Sequence, residues 1–155
     1  MVNTDDSKFL ITGAADNFAL IWEVKTGKRL NMLRHETPVR QVAWALGSER
    51  FLTIQDAIMG RASICYIWAF DPKDPTKPLS EQPELMQIKH PDDKAKFTHA
   101  QWGPGNKTIV LVDTTGCVRL YDPEVRFFSP LLFVDIKQGC LIKAQSNLLS
   151  LPLVL

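Results

Sequence analysis

The chain has 155 residues, 45% apolar and 23% charged, the balance of a folded globular chain rather than a disordered one. Its formal net charge of +1 leaves no broad basic field for phosphates, so non-specific nucleic-acid binding lacks support. Asp5, Asp6 and Lys8 precede the first apolar run, and no uncharged stretch approaches the roughly 20 residues of a membrane helix, so the sequence reads as cytoplasmic, without signal peptide or membrane span.

Short β-rich runs bounded by turn signals follow one another along the chain. The first set is 8–13, 19–24 and 29–33, with Thr26-Gly27-Lys28 as the tight turn where glycine supplies a positive φ. The second set is 39–45, 50–54, 63–70 and 84–88, and it contains a connection marked by Pro72, Pro75, Pro78 and Pro83 that reads as a surface insertion. The third is 97–102, 108–112 and 117–121, with 131–136 as a candidate fourth strand. Only seven residues precede Lys8, so the first unit is expected to lack an opening strand.

These sets repeat a phrase: a short apolar run, a polar turn, and a second apolar run closed by an aromatic with an acidic residue at or near it. It is clearest from Phe9 through Thr12-Gly13-Ala14-Ala15-Asp16-Asn17 to Trp22-Glu23, and its echoes end at Trp68 and Tyr121, 46 and 53 residues further on in turn. A period of about 40–50 residues marks stacked β-units, and WD-type blades run about 40–45. The expected fold is all-β, a partial WD-repeat β-propeller of two to three four-stranded antiparallel blades. Residues 1–126 form the blades, divided as a partial blade at 1–35, a full one at 36–90 and a partial one at 91–126. Propellers close with about 4–8 blades, so the chain reads as an interior segment of a ring, and on its own as oligomeric or poorly soluble. The composition breaks near residue 126: the remainder carries only Asp135, Lys137 and Lys143 as charges and ends in an apolar run. For 127–155 a closing strand and loop, an apolar docking segment, and sequence foreign to the fold compete; the third is favoured beyond about Lys137.

Candidate chemistry is sparse. Asp16 lies six residues before Trp22; it reads as a turn anchor accepting backbone N–H bonds, joined by a histidine and the Trp22 indole, rather than as a catalytic acid. Ala62 and Thr115 hold the equivalent positions, so the second and third units are expected to lack this acid and to be less tightly tied. His35, His90 and His99 form no H-x-x-x-H pair. His35 has the spacing of the loop leading into a blade, and a metal site or histidine base would require tertiary convergence. Trp44 and Trp102 occupy matching places, and with few basic neighbours they read as packing between blades rather than as stacking platforms for bases. Asp16, Trp22, His35, Trp44, Trp68, Trp102 and Tyr121 are thus expected to be structural blade positions. Cys65, Cys117 and Cys140 form no C-x-x-C pair and read as reduced thiols. Gly103-Pro104-Gly105 is a turn, not a phosphate cradle, and Asp92-Asp93 beside Lys94 and Lys96 reads as a solvated loop before a docking one.

The run Thr12 to Asn17, then Leu20-Ile21-Trp22 and Thr26-Gly27-Lys28, resembles the second WD repeat of the I-subunit family of eukaryotic translation initiation factor 3. Val39-Arg40, the insertion with Asp71 and Asp74-Pro75, and Ala100-Gln101-Trp102-Gly103-Pro104 extend the likeness over about residues 2–125, the last two being the more specific. A serine near Ala14 or Ala15 and a histidine-containing turn at Thr114-Thr115-Gly116 are missing from the pattern. The receptor-associated WD proteins of serine-threonine kinase signalling are the nearest competitor. The resemblance implies a seven-bladed, non-catalytic scaffold without cofactor or metal. It would join the B and G subunits and, through them, the small ribosomal subunit, with no direct nucleic-acid contact and with the B-subunit surface on later blades. A WD adaptor in signalling or RNP assembly is the alternative, and a propeller enzyme with a channel site is a third reading.

Overall fold

Apolar side chains alternate along these runs, and the computed structural model, which describes residues 1–4, 6–58, 60–79, 84–124 and 132–135, sets them in three four-stranded antiparallel sheets. Blade 1 is β1 (Val2–Asn3), β2 (Phe9–Gly13), β3 (Phe18–Glu23) and β4 (Arg29–Arg34). Blade 2 is β5 (Val39–Trp44), β6 (Arg50–Gln55), β7 (Ile64–Ala69) and β8 (Glu84–Lys89). Blade 3 is β9 (Phe97–Trp102), β10 (Ile109–Asp113), β11 (Cys117–Tyr121) and β12 (Leu132–Asp135). Every sheet keeps its strands in chain order, and the first strands of successive blades adjoin, β1 to β5 and β5 to β9. That sequential order, sheet beside sheet, is propeller architecture.

At the edges one expectation is corrected and one candidate strand is found. Blade 1 does have an opening strand: Val2 pairs with Ile11 and Asn3 with Leu10. Two residues are too few to show an alternating pattern, which is why the sequence hides it. Blade 3 draws its fourth strand from beyond the composition break, with Val134 opposite Val118 and Leu132 opposite Leu120. Sequence from 136 onward lies outside the described residues.

The core sits between sheets. Phe9, Ile11, Ala19 and Ile21 of blade 1 pack against Val39, Val42, Trp44 and Phe51 of blade 2. Leu52, Ile54, Cys65 and Ile67 on the opposite face of blade 2 pack against Phe97, Trp102, Ile109 and Leu111 of blade 3. Period two does this: in β3, Ala19 and Ile21 are buried while Phe18, Leu20 and Trp22 lie half-buried on the other side. Gly13 stands at the closest approach of blades 1 and 2, where a Cβ would lie 2.6 Å from Val39 Cγ1. Gly27 takes φ +68 in the β3–β4 turn, as the hairpin requires.

The insertion between β7 and β8 is not a free surface loop. Asn31 of β4 donates from Nδ2 to the carbonyl oxygens of Lys77 and Pro75, and its Oδ1 accepts the N–H of Leu79 at 2.8 Å. Leu79 is fully buried. Blade 1 therefore holds down a connector that belongs to blade 2.

Candidate functional site

The closing aromatics carry a repeated polar contact. Trp22 Nε1 donates to Thr12 Oγ1 at 3.0 Å in blade 1, and Trp68 Nε1 to Thr53 Oγ1 at 3.2 Å in blade 2. Each threonine lies two residues beyond the partner opposite the tryptophan, Leu10 for Trp22 and Phe51 for Trp68. In blade 3 Tyr121 faces Ile109, and the corresponding residue is the buried Leu111. The Trp22 indole thus goes to threonine rather than to Asp16, which is exposed and accepts the N–H of Phe18 at 3.1 Å within its own turn.

Blade 3 compensates with a buried carboxylate, and here a sequence expectation is overturned. Asp113 stands eight residues before Tyr121 instead of six, at the end of β10. Its Oδ1 accepts from the Thr115 N–H at 2.8 Å, the Cys117 N–H at 3.2 Å and the Thr115 hydroxyl. Its Oδ2 accepts from His90 Nε2 at 3.1 Å and from Arg119 Nη1. Five donors thus converge on one side chain with no solvent exposure. Burial holds the His90 imidazole below its usual range and also lowers Arg119, which stays charged. His90 Nε2 faces Asp113 Oδ2, while Nδ1 lies 3.0 Å from the Asp92 nitrogen and 2.8 Å from the Asp92 carbonyl oxygen, so the ring bridges Asp113 to the loop after β8. Blade 3 therefore has the acid that a fixed spacing of six residues misses.

Blade 2 is the reverse case. His35 follows β4 as His90 follows β8, and its ring lies 5.4 Å from Tyr66 and 6.3 Å from Trp68. It is buried, its Nε2 has no hydrogen-bond partner, and burial lowers its pKa to about 4. Ala62, at the position of the missing acid, is buried.

Polar side chains also bridge blades 2 and 3. The Gln41 amide bonds both backbone groups of Ala100, at 2.8 Å to the oxygen and 2.9 Å from the nitrogen. Asn106, in the left-handed region at φ 56, does the same to Leu46 at 2.8 and 2.9 Å. Each amide stands in for a neighbouring strand, satisfying main-chain groups that a sheet edge would otherwise expose. Trp44 and Trp102 are buried where neighbouring blades meet, Trp44 packing edge-on against Phe51 and Phe70. His99 is exposed on β9, beside a groove of about 560 Å3 between β5 and β9. Cys65 and Cys117 are free and buried, and burial pushes the Cys65 thiol strongly up. Among the described residues no cluster of three or more His, Cys, Asp or Glu is arranged to hold a metal ion, and no helix is long and apolar enough to cross a membrane.

Comparison with known proteins agrees with this architecture. No protein-family model matches the chain. Eukaryotic translation initiation factor 3 subunit I of Rattus norvegicus is 32% identical over 133 residues, covering 86% of this chain and 38% of that protein. The Dictyostelium discoideum subunit is 35% identical over 123 residues, 79% of this chain and 35% of its own length, and the Homo sapiens subunit 31% over 133. Among solved structures, the β-propeller domain of Myceliophteria thermophila Cps50 (Swd1) superposes with a TM-score of 0.65 at 15% identity, over 86% of this chain and 40% of that one. That likeness concerns the fold alone. The chain is a partial β-propeller, similar in sequence to a stretch of eukaryotic translation initiation factor 3 subunit I and spanning 38% or less of the length of the relatives described.

Proposed function

We propose that this chain works as a non-catalytic scaffold segment in a translation initiation factor assembly. The observation that carries the reading is the 31–35% identity to the I subunit over most of the chain. The geometry supports it: Asp113, His90 and Arg119 are occupied by one another, and Gln41 and Asn106 are spent on main-chain groups of the adjacent blade. These groups hold sheets in register and leave loops and strand edges to meet partners. The partners on this reading are the B- and G-type subunits and, through them, the small ribosomal subunit, in the cytoplasm, with no cofactor and no direct nucleic-acid contact. Affinity purification of the tagged chain from a cytosolic extract should recover initiation-factor subunits. Recovery of none, or only of signalling or RNP components, would refute it.

A further inference from the structure

Blades 1 and 3 each present one apolar sheet face that no blade among the described residues covers. Strand register fixes which residues of the three blades correspond. Trp44, Phe51 and Trp68 stand opposite one another in blade 2, as Trp102, Ile109 and Tyr121 do in blade 3 and Asn3, Leu10 and Trp22 in blade 1. On the far face of blade 3, Val110, Val112, Val118 and Leu120 therefore hold the places of Leu52, Ile54, Cys65 and Ile67. The blade 2 residues are at most 1% exposed because blade 3 covers them, whereas their four counterparts are half-buried. On the outer face of blade 1, Leu10 holds the place of Phe51 and Ile109, both fully buried, and is itself half-buried beside Leu20 and Trp22.

These two faces are opposite halves of one interface. Within the chain that interface is built twice. Ile11, Ala19 and Ile21 of blade 1 meet Trp44 and Phe51 of blade 2, and Leu52, Cys65 and Ile67 of blade 2 meet Trp102 and Ile109 of blade 3. The far face of blade 3 is of the first kind and the outer face of blade 1 of the second. Blade 2 stands between them, so the two faces of one chain cannot meet, but those of two chains can. Such a contact is head-to-tail, and it ends in a ring only if the rotation closes. Three blades fall short of the roughly 4–8 with which propellers close, and three with three make about six.

We propose that two copies of this chain join head to tail, blade 3 of each against blade 1 of the other, and close one ring through two identical junctions. Removal of the half-buried apolar faces from water drives the assembly. Asn3 holds in β1 the register place of Trp44 and Trp102, so each junction has one aromatic fewer than those inside the chain. The ring should accordingly open on dilution. The proposal goes beyond the scaffold reading and does not rest on it, since the partner is a second copy of the chain itself.

The test is sedimentation velocity of the 155-residue chain over a concentration series. A monomer–dimer equilibrium that stops at two copies is expected. Leu10→Glu and Leu120→Glu should each weaken association about a hundredfold, about tenfold at each of two junctions, with the circular-dichroism spectrum retained. Leu10→Thr and Leu120→Thr, gentler on the fold, should show the same pattern at smaller amplitude. The Leu10→Glu chain keeps a sound blade 3 face and the Leu120→Glu chain a sound blade 1 face. Mixed one to one, they should pair through one intact junction at concentrations where neither associates alone. A chain monomeric at every concentration, an open ladder of longer species, a dimer broken by only one of the two substitutions, or a mixture no better than its components each overturns the proposal. Such a failure leaves co-purification with initiation-factor subunits unaffected, whereas loss of co-purification with the dimer intact sinks the scaffold reading alone.

Discussion

Removing the Asp113 carboxylate tests whether blade 3 is organised as described. Asp113→Ala takes the shared acceptor from two backbone N–H groups, a hydroxyl, an imidazole and a guanidinium at once. Charge-assisted hydrogen bonds are worth about 1.5–3 kcal/mol each in isolation, but they share one side chain and do not add. The dominant cost is Arg119, whose side chain is 8% exposed and loses its counter-charge; breaking a buried pair from one side costs about 3–5 kcal/mol. With a urea m-value of about 2 kcal/mol/M, the unfolding midpoint should fall by about 2 M. Asp113→Asn should do nearly as badly, because its NH2 group would face donors. Replacing Arg119 with Met in the Asp113→Ala background should recover about 2 kcal/mol, since no charge is then left buried. Urea unfolding followed by circular dichroism at constant m reads all four corners of the cycle. A loss under about 1 kcal/mol for Asp113→Ala, or strictly additive single variants, would show that the cluster does not hold the blade.

His35 makes the fold acid-sensitive. Its folded pKa of about 4 lies below the unfolded value of 6.5, so its contribution is complete above pH 6.5 and is lost as pH falls toward 4. Over that window about 3 kcal/mol should disappear, and in His35→Phe the slope of stability against pH should flatten there. Asn31→Leu should cost about 2 kcal/mol by leaving the Leu79 N–H without its acceptor, and timed limited proteolysis should then cut between residues 71 and 78 first, whereas an unchanged cleavage map would rule out the tether. Cys65 should resist iodoacetamide until the chain unfolds, because burial keeps it protonated; mass mapping that finds it alkylated under native conditions would contradict the packing between blades 2 and 3.

Strand positions were legible because burial imposes period two wherever two sheets sandwich one another. Phe97–Trp102 and Cys117–Tyr121 match residue for residue, and the other strands named from sequence shift by a residue at one or both ends. What escaped was non-periodic. β1 has two residues, and Asp113 moved two positions along its turn, where its role depends on His90 23 residues earlier and Arg119 six residues later. The Asn31 tether spans 44 to 48 residues, and nothing local distinguishes that asparagine from a solvent-facing one. Side-chain amides that complete a neighbour's backbone, as Gln41 does for Ala100, are fixed by the angle between sheets, which periodicity does not encode.

The Asn31 tether also constrains how such a chain can evolve. Repeat arrays commonly gain or lose whole units, since each unit touches only the next. Here the asparagine of one unit is fitted to the proline-rich connector of its successor. Deleting the unit that carries the connector, or inserting a copy between the two, would strand the amide against a loop of the wrong length. Exchange of one repeat at this junction would break the contact unless both moved together.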